Sequence, residues 1–92
     1  MIEHKPVLDK NHKLVKQAVS LAMKGSWDLA AEANQRILKS FPDDIESLNR
    51  LGKAFSELGR VPEAKKVFES VLLLSPHNSI ARKNIGRLAN AE

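Results

Sequence analysis

Ninety-two residues, 42% apolar, 28% charged and only 4% aromatic, make one soluble globular domain with a modest core and rule out intrinsic disorder. The absence of cysteine removes disulfides, thiol nucleophiles and thiolate metal sites together, and fits a reducing compartment, with the cytoplasm as the default location. A net charge of +4 directs attention to acidic partners, although so small an excess is common on proteins that bind nothing acidic.

The opening residues, Met1 to Pro6, lack the apolar run of a signal peptide, and no stretch reaches the length of a membrane span. Residues 1–10 read as a lead-in. Apolar residues then recur at steps of three and four, as at Leu14, Ala18 and Leu21 and again at Leu48, Leu51, Phe55 and Leu58. A first helix is predicted from about Lys10 to Lys24, closed by Gly25. Ser26 is the candidate N-cap of a second helix that ends before Pro42. Asp43, with Glu46 three residues on, suggests a capping box for a third helix. That helix stops at Leu58, where Gly59 suits a left-handed turn. Pro62 fits the first turn of a fourth helix, and Pro76 ends it after Leu74. A fifth helix starts at Asn78 or Ser79 and runs nearly to the end.

Leu14 and Leu48, Gly25 and Gly59, Ala30 and Ala64, Leu38 and Leu72, and Pro42 and Pro76 all stand 34 positions apart. A fixed period in this range marks stacked helical hairpins. Residues Leu48, Leu51, Gly52, Phe55, Gly59, Ala64, Phe68, Val71 and Pro76 resemble the tetratricopeptide repeat, with Val71 as the single departure from its pattern. An upstream unit fits at Leu14, Ala18, Leu21, Gly25, Ala30, Ile37 and Pro42, but has Gln17 in place of a leucine and Asn34 in place of an aromatic residue. Terminal repeats are atypical where one side meets solvent. The resemblance covers about residues 11 to 91. It implies an all-α, right-handed α-solenoid of five helices, with a degenerate first repeat (11–44), a second repeat (45–78) and a capping helix (79–92). Within the cap, Ile85-Gly86 echoes Leu51-Gly52, while Arg82 and Ala89 replace the apolar residues that a further repeat would cover. Trp27, near the start of the second helix, reads as a packing anchor rather than a ligand platform.

In such a fold the first helices of successive units line a concave face. The resemblance places Lys16, Asn49, Arg50, Lys53, Lys83, Asn84 and Arg87 there as the expected partner-binding groove, with Val15, Val19 and Met23 as an apolar contact. Five cations (Lys16, Arg50, Lys53, Lys83 and Arg87) face two carboxylates (Glu46 and Glu57), so the groove carries +3 of the chain's charge. The outer helices, with Asp28, Glu32, Glu63 and Glu69 among Arg36, Lys39, Lys65 and Lys66, are nearly balanced. One sign of charge on a concave surface favours an acidic segment of another protein, and the bland alternative is simple solvation of an open face. Asn49 and Asn84 are expected to pair with the backbone of an extended peptide.

Part of the family clamps the C-terminal carboxylates of heat-shock chaperones. The matching positions here hold Val15, Val19, Arg50, Ile80 and Asn84, so the lysine and asparagine expected first are valines, and chaperone-tail binding is not predicted. The apolar stripe of Val15, Val19 and Met23 has three readings: a seat for Ile2, Val7 and Leu8 of the lead-in, a seat for the apolar part of a peptide, or half of a dimer contact. Two repeats fall below the usual three, which keeps self-association in view, as well as a role as spacer beside another domain.

No cofactor, metal site or catalytic group is expected. His4, His12 and His77 lack metal-ligand spacing, the four glycines serve helix ends and helix packing, and Asp43-Asp44 sits where a helix start favours negative charge. Nucleic-acid binding through the same basic face is the weaker reading, because exposed aromatics for stacking bases are lacking. The sequence therefore points to a non-enzymatic module that holds another protein.

Overall fold

The computed structural model describes the backbone of residues 5–91 and the side chains of residues 11–90. Five helices follow in order: α1 (Lys5–Met23), α2 (Trp27–Ser40), α3 (Ile45–Glu57), α4 (Val61–Leu74) and α5 (Ser79–Ala91). Each packs on its neighbour in sequence, and α3 also touches α5, which is the stacking order of a helical solenoid. No strand occurs among the described residues, and no described helix is long and apolar enough to cross a membrane.

The 34-residue period is visible bond by bond. After α1, the amide of Gly25 donates to the Ala22 carbonyl (3.0 Å) and that of Ser26 to Leu21 (2.9 Å). After α3, Gly59 donates to Ser56 (3.0 Å) and Arg60 to Phe55 (2.8 Å). Both are Schellman turns, which need a residue at positive φ, and Gly25 (76°) and Gly59 (77°) supply it. The turns that end α2 and α4 match as well: Phe41 donates to Ile37 (2.9 Å) and Ser75 to Val71 (2.7 Å).

Three helix starts differ from the sequence reading. The turn begins α1 at Lys5 rather than near Lys10, with Pro6 in the first turn, where a missing amide costs nothing. The cap of α3 is Asp44, not Asp43: its carboxylate accepts from the Ser47 amide (3.2 Å) and from the Ser47 hydroxyl. Ser26 stands at the N-cap of α2, but its side chain makes no capping hydrogen bond. One residue 34 after Asp44, Asn78 caps α5, accepting the Ala81 amide on Oδ1 (2.9 Å). At the start of α4, Arg60 donates to Glu63, and this hydrogen bond holds the exposed Glu63 carboxyl below its ordinary value, slight desolvation opposing it and charge attraction adding to it.

The core is built around the second repeat. Phe68 and Val71 from α4 meet Leu51, Ala54 and Phe55 from α3, with Ala30 and Ala31 on one side and Ala81 and Leu88 on the other. Gly52 makes this possible, because a Cβ there would lie 2.6 Å from the Phe68 ring. In the first repeat the equivalent pair is Ala18 and Asn34, both buried. The alanine methyl occupies the space that the aromatic ring takes in the second repeat, so the shorter asparagine is the matching partner. Ala18 gathers with Ala33 and Ile37 in a smaller apolar cluster.

Candidate partner-binding groove

Helices α1, α3 and α5 line one face. A cleft of about 390 Å³ opens between them, with Met23, Trp27 and Ile80 as its apolar floor and Arg50, Lys53 and Asn84 at its edge. A second cleft of about 640 Å³ runs along α1 beside Val15, Val19 and Met23, flanked by Lys16 and Lys24. Met23 belongs to both and is 83% exposed, so the two form one apolar path. Val15 is half-buried against the Ala18 cluster, and Val19 is exposed. Ile2, and the side chains of Val7 and Leu8, lie outside the described residues.

The expected groove residues divide into three groups. Lys16, Lys83 and Arg87 are exposed, and among the described residues none has a carboxylate within ion-pair distance. Lys83 and Arg87 stand on α5 beyond the rims of both clefts. Lys53 borders the central cleft but is already paired with Glu57 (2.9 Å), and its ammonium lies 5.9 Å over the Trp27 ring. That pairing leaves less free charge than a count of groove residues suggests.

Arg50 and Asn49 differ more sharply from expectation. Arg50 is half-buried rather than solvent-facing: Nε donates to Asn34 Oδ1 (3.0 Å) and Nη2 to the Ser47 hydroxyl (3.1 Å). Asn34 in turn donates to the Ala30 carbonyl (2.9 Å), so the polar residue in the first repeat's core has both halves of its amide satisfied. Asn49 is buried, and its Nδ2 donates to Asn78 Oδ1 (3.2 Å). Because Asn78 Oδ1 must accept the α5 cap bond, Asn49 can offer it only its NH₂ group, which fixes the amide orientation. Asn49 Oδ1 is left buried with no partner. Asn84 Nδ2 likewise donates to the Ile80 carbonyl (2.8 Å). Each of these bonds uses one of the two N–H groups of its amide, so each asparagine keeps a second N–H.

Trp27 was not among the expected groove residues, because it belongs to α2 and not to a first helix. It packs against the core and borders the cleft at once. Its position directly after the Gly25 turn was the available signal, since that turn aims the start of α2 back toward α1. Among the described residues there is no group of three or more His, Cys, Asp or Glu able to hold a metal.

The geometry of paired helices with recurring turns has a counterpart in known families: the tetratricopeptide repeat model matches residues 14–44 and 46–78. The chain belongs to the tetratricopeptide repeat family. Human aspartyl/asparaginyl beta-hydroxylase is 34% identical over 58 residues, which is 63% of this chain and 8% of that protein. Mouse FK506-binding protein-like is 33% identical over 64 residues, 70% of this chain and 18% of that protein. This chain thus spans less than a fifth of the curated relatives it matches, and the hydroxylase likeness is confined to a short repeat stretch that says nothing about catalysis either way. The repeat family is generally non-catalytic and serves as a scaffold for protein–protein interaction.

Proposed function

We propose that this tetratricopeptide repeat unit holds an acidic or mixed acidic-apolar segment of another protein on the face formed by α1, α3 and α5. The observation that carries this reading is the apolar floor of Met23, Trp27 and Ile80 lying beside cations. An apolar path alone suits any hydrophobic segment; the unpaired Lys16, Lys83 and Arg87 favour one with carboxylates flanking its apolar residues. Oligomer or spacer roles remain the second reading, supported by the exposure of Val19 and Met23. Binding of nucleic acid is the third, with few cations to track phosphates.

Arg50 is unsuited to a test of binding, since its side chain also satisfies Asn34. Lys83 and Arg87 are exposed and make no described contact that folding needs. A displayed peptide library selected on the full chain should yield sequences rich in Asp and Glu interspersed with large apolar residues. The Lys83→Glu/Arg87→Glu variant should bind those peptides about tenfold more weakly, with an unchanged melting temperature. Selection of neutral or basic peptides, or full affinity in the variant, would count against the reading.

A further inference from the structure

We infer that α5 is half of a helix pair whose other half comes from a partner. Its open side takes a helix of another protein, which seats an aromatic ring on Gly86 and sets a carboxylate against Arg82. This surface lies on a different side of α5 from Lys83 and Arg87 and is independent of the groove. Shifted by 34 residues, Leu48, Leu51, Gly52 and Phe55 of α3 become Arg82, Ile85, Gly86 and Ala89 of α5. On α3 all four are buried, and a Cβ at Gly52 would lie 2.6 Å from the Phe68 ring of α4. On α5, Arg82, Gly86 and Ala89 are exposed, Ile85 is half-buried, and a Cβ at Gly86 would meet nothing within 4 Å. The other side of α5 is occupied, with Ala81 and Leu88 buried against the second repeat. An exposed glycine in mid-helix weakens the helix relative to alanine, and no contact among the described residues offsets that loss at Gly86. Gly52 shows what such a glycine accommodates: a ring that approaches the backbone too closely for any side chain.

The α3–α4 hairpin supplies the register of the incoming helix. In that antiparallel pair Phe55 falls opposite Ala64, Gly52 opposite Phe68 and Leu48 opposite Val71, so the docking residues of α4 stand at i, i+4 and i+7. Two changes on α5 alter what suits those positions. Ala89 lacks the ring of Phe55, so a large apolar residue at i fills space that an alanine would leave empty. Arg82 replaces Leu48 and makes no ion pair among the described residues, so a carboxylate at i+7 suits it where a valine would cover an unpaired charge. The aromatic residue at i+4 is unchanged. A second copy of the chain fits poorly: α5 against α5 sets Arg82 near Arg82, and α1 presents exposed Lys13 and Lys24.

A synthetic peptide of about 18 residues, with Leu, Phe and Glu at i, i+4 and i+7 on an Ala, Gln and Glu background, provides the probe. The Gly86 amide, one of four from glycine, reports occupancy by nuclear magnetic resonance, and anisotropy of a fluorescein-labelled copy gives the affinity. The peptide should shift that amide saturably and gain helical circular dichroism on binding. Gly86→Ala should raise the melting temperature of the free chain by about 2–8 °C, yet weaken the peptide at least tenfold. Replacing the peptide's Phe by Ala, or its Glu at i+7 by Lys, should each weaken binding at least fivefold. Undiminished affinity in Gly86→Ala, or no saturable shift up to about 1 mM peptide, overturns the proposal. Affinity lost in Lys83→Glu/Arg87→Glu but kept in Gly86→Ala puts the peptide in the groove, which overturns this proposal and leaves the groove reading standing. Self-association of the chain alone that Gly86→Ala abolishes makes a second copy the occupant and overturns it as well.

Discussion

Arg50 shows how one side chain serves two repeats. From α3 its Nε reaches Asn34 on α2, while its Nη2 meets Ser47, whose hydroxyl donates to the Asp44 cap. Asp44, Ser47, Arg50 and Asn34 thus form a continuous chain of hydrogen bonds with a carboxylate near one end and a guanidinium within it. Replacing Arg50 with alanine leaves Asn34 Oδ1 buried and unmet, a loss of about 1–3 kcal/mol. Urea unfolding of Arg50→Ala should show that drop, and an unchanged midpoint would refute the structural role. In the sequence, Arg50 was legible as a groove position and Asn34 as a departure from the repeat pattern. Their link was not, because hydrophobic periodicity reports which face a residue occupies and not which polar atoms meet across a seam. Gly52 and Phe68 were easier to read, since a small residue opposite a large one follows directly from close helix packing.

At the level of elements, the punctuation of the chain was read well wherever it depends on backbone chemistry. Glycine at positive φ and proline after a helix have few alternative meanings, and both turns at Gly25 and Gly59 form as expected. The caps were harder. Asp43 and Asp44 both precede α3, and Glu46 completes a capping box with the wrong one of them; only the backbone shows that Asp44 meets Ser47. Residue Asn78 illustrates what such a cap supports. It holds the start of α5 and orients Asn49 in the floor between α3 and α5. Asn78→Ala should cost about 1–2 kcal/mol, with the first amides of α5 exchanging hydrogen faster than those of α3 and α4. Equal exchange across the three helices would show that the cap matters little.

Over the whole molecule, the exposed surface of α1 at Lys13, Gln17, Ser20 and Lys24 is polar and cationic, as is Arg82 on the side of α5 that a further repeat would cover. Stacking the first helix of one copy on the last helix of another would set like charges together. Sedimentation at several concentrations and at low salt should therefore give a monomer; association that strengthens as salt falls would contradict this. The Gln17 substitution, which looks like decay of the repeat, has a physical reason here, since it lies on that solvated side. The extents of 51 × 29 × 17 Å describe a slab about two helices thick, which leaves its broad faces open for a partner. The Arg50 bridge carries one more consequence. A duplicate of the first repeat inserted in the second's place would give Asn34 a lysine, Lys16, instead of a guanidinium fork, and a duplicate of the second would replace Asn34 by Phe68 and leave Arg50 without that acceptor. The two repeats share a backbone plan, yet their order is written into the side chains that join them, and a seam made by copying either one unchanged would lack this hydrogen bond.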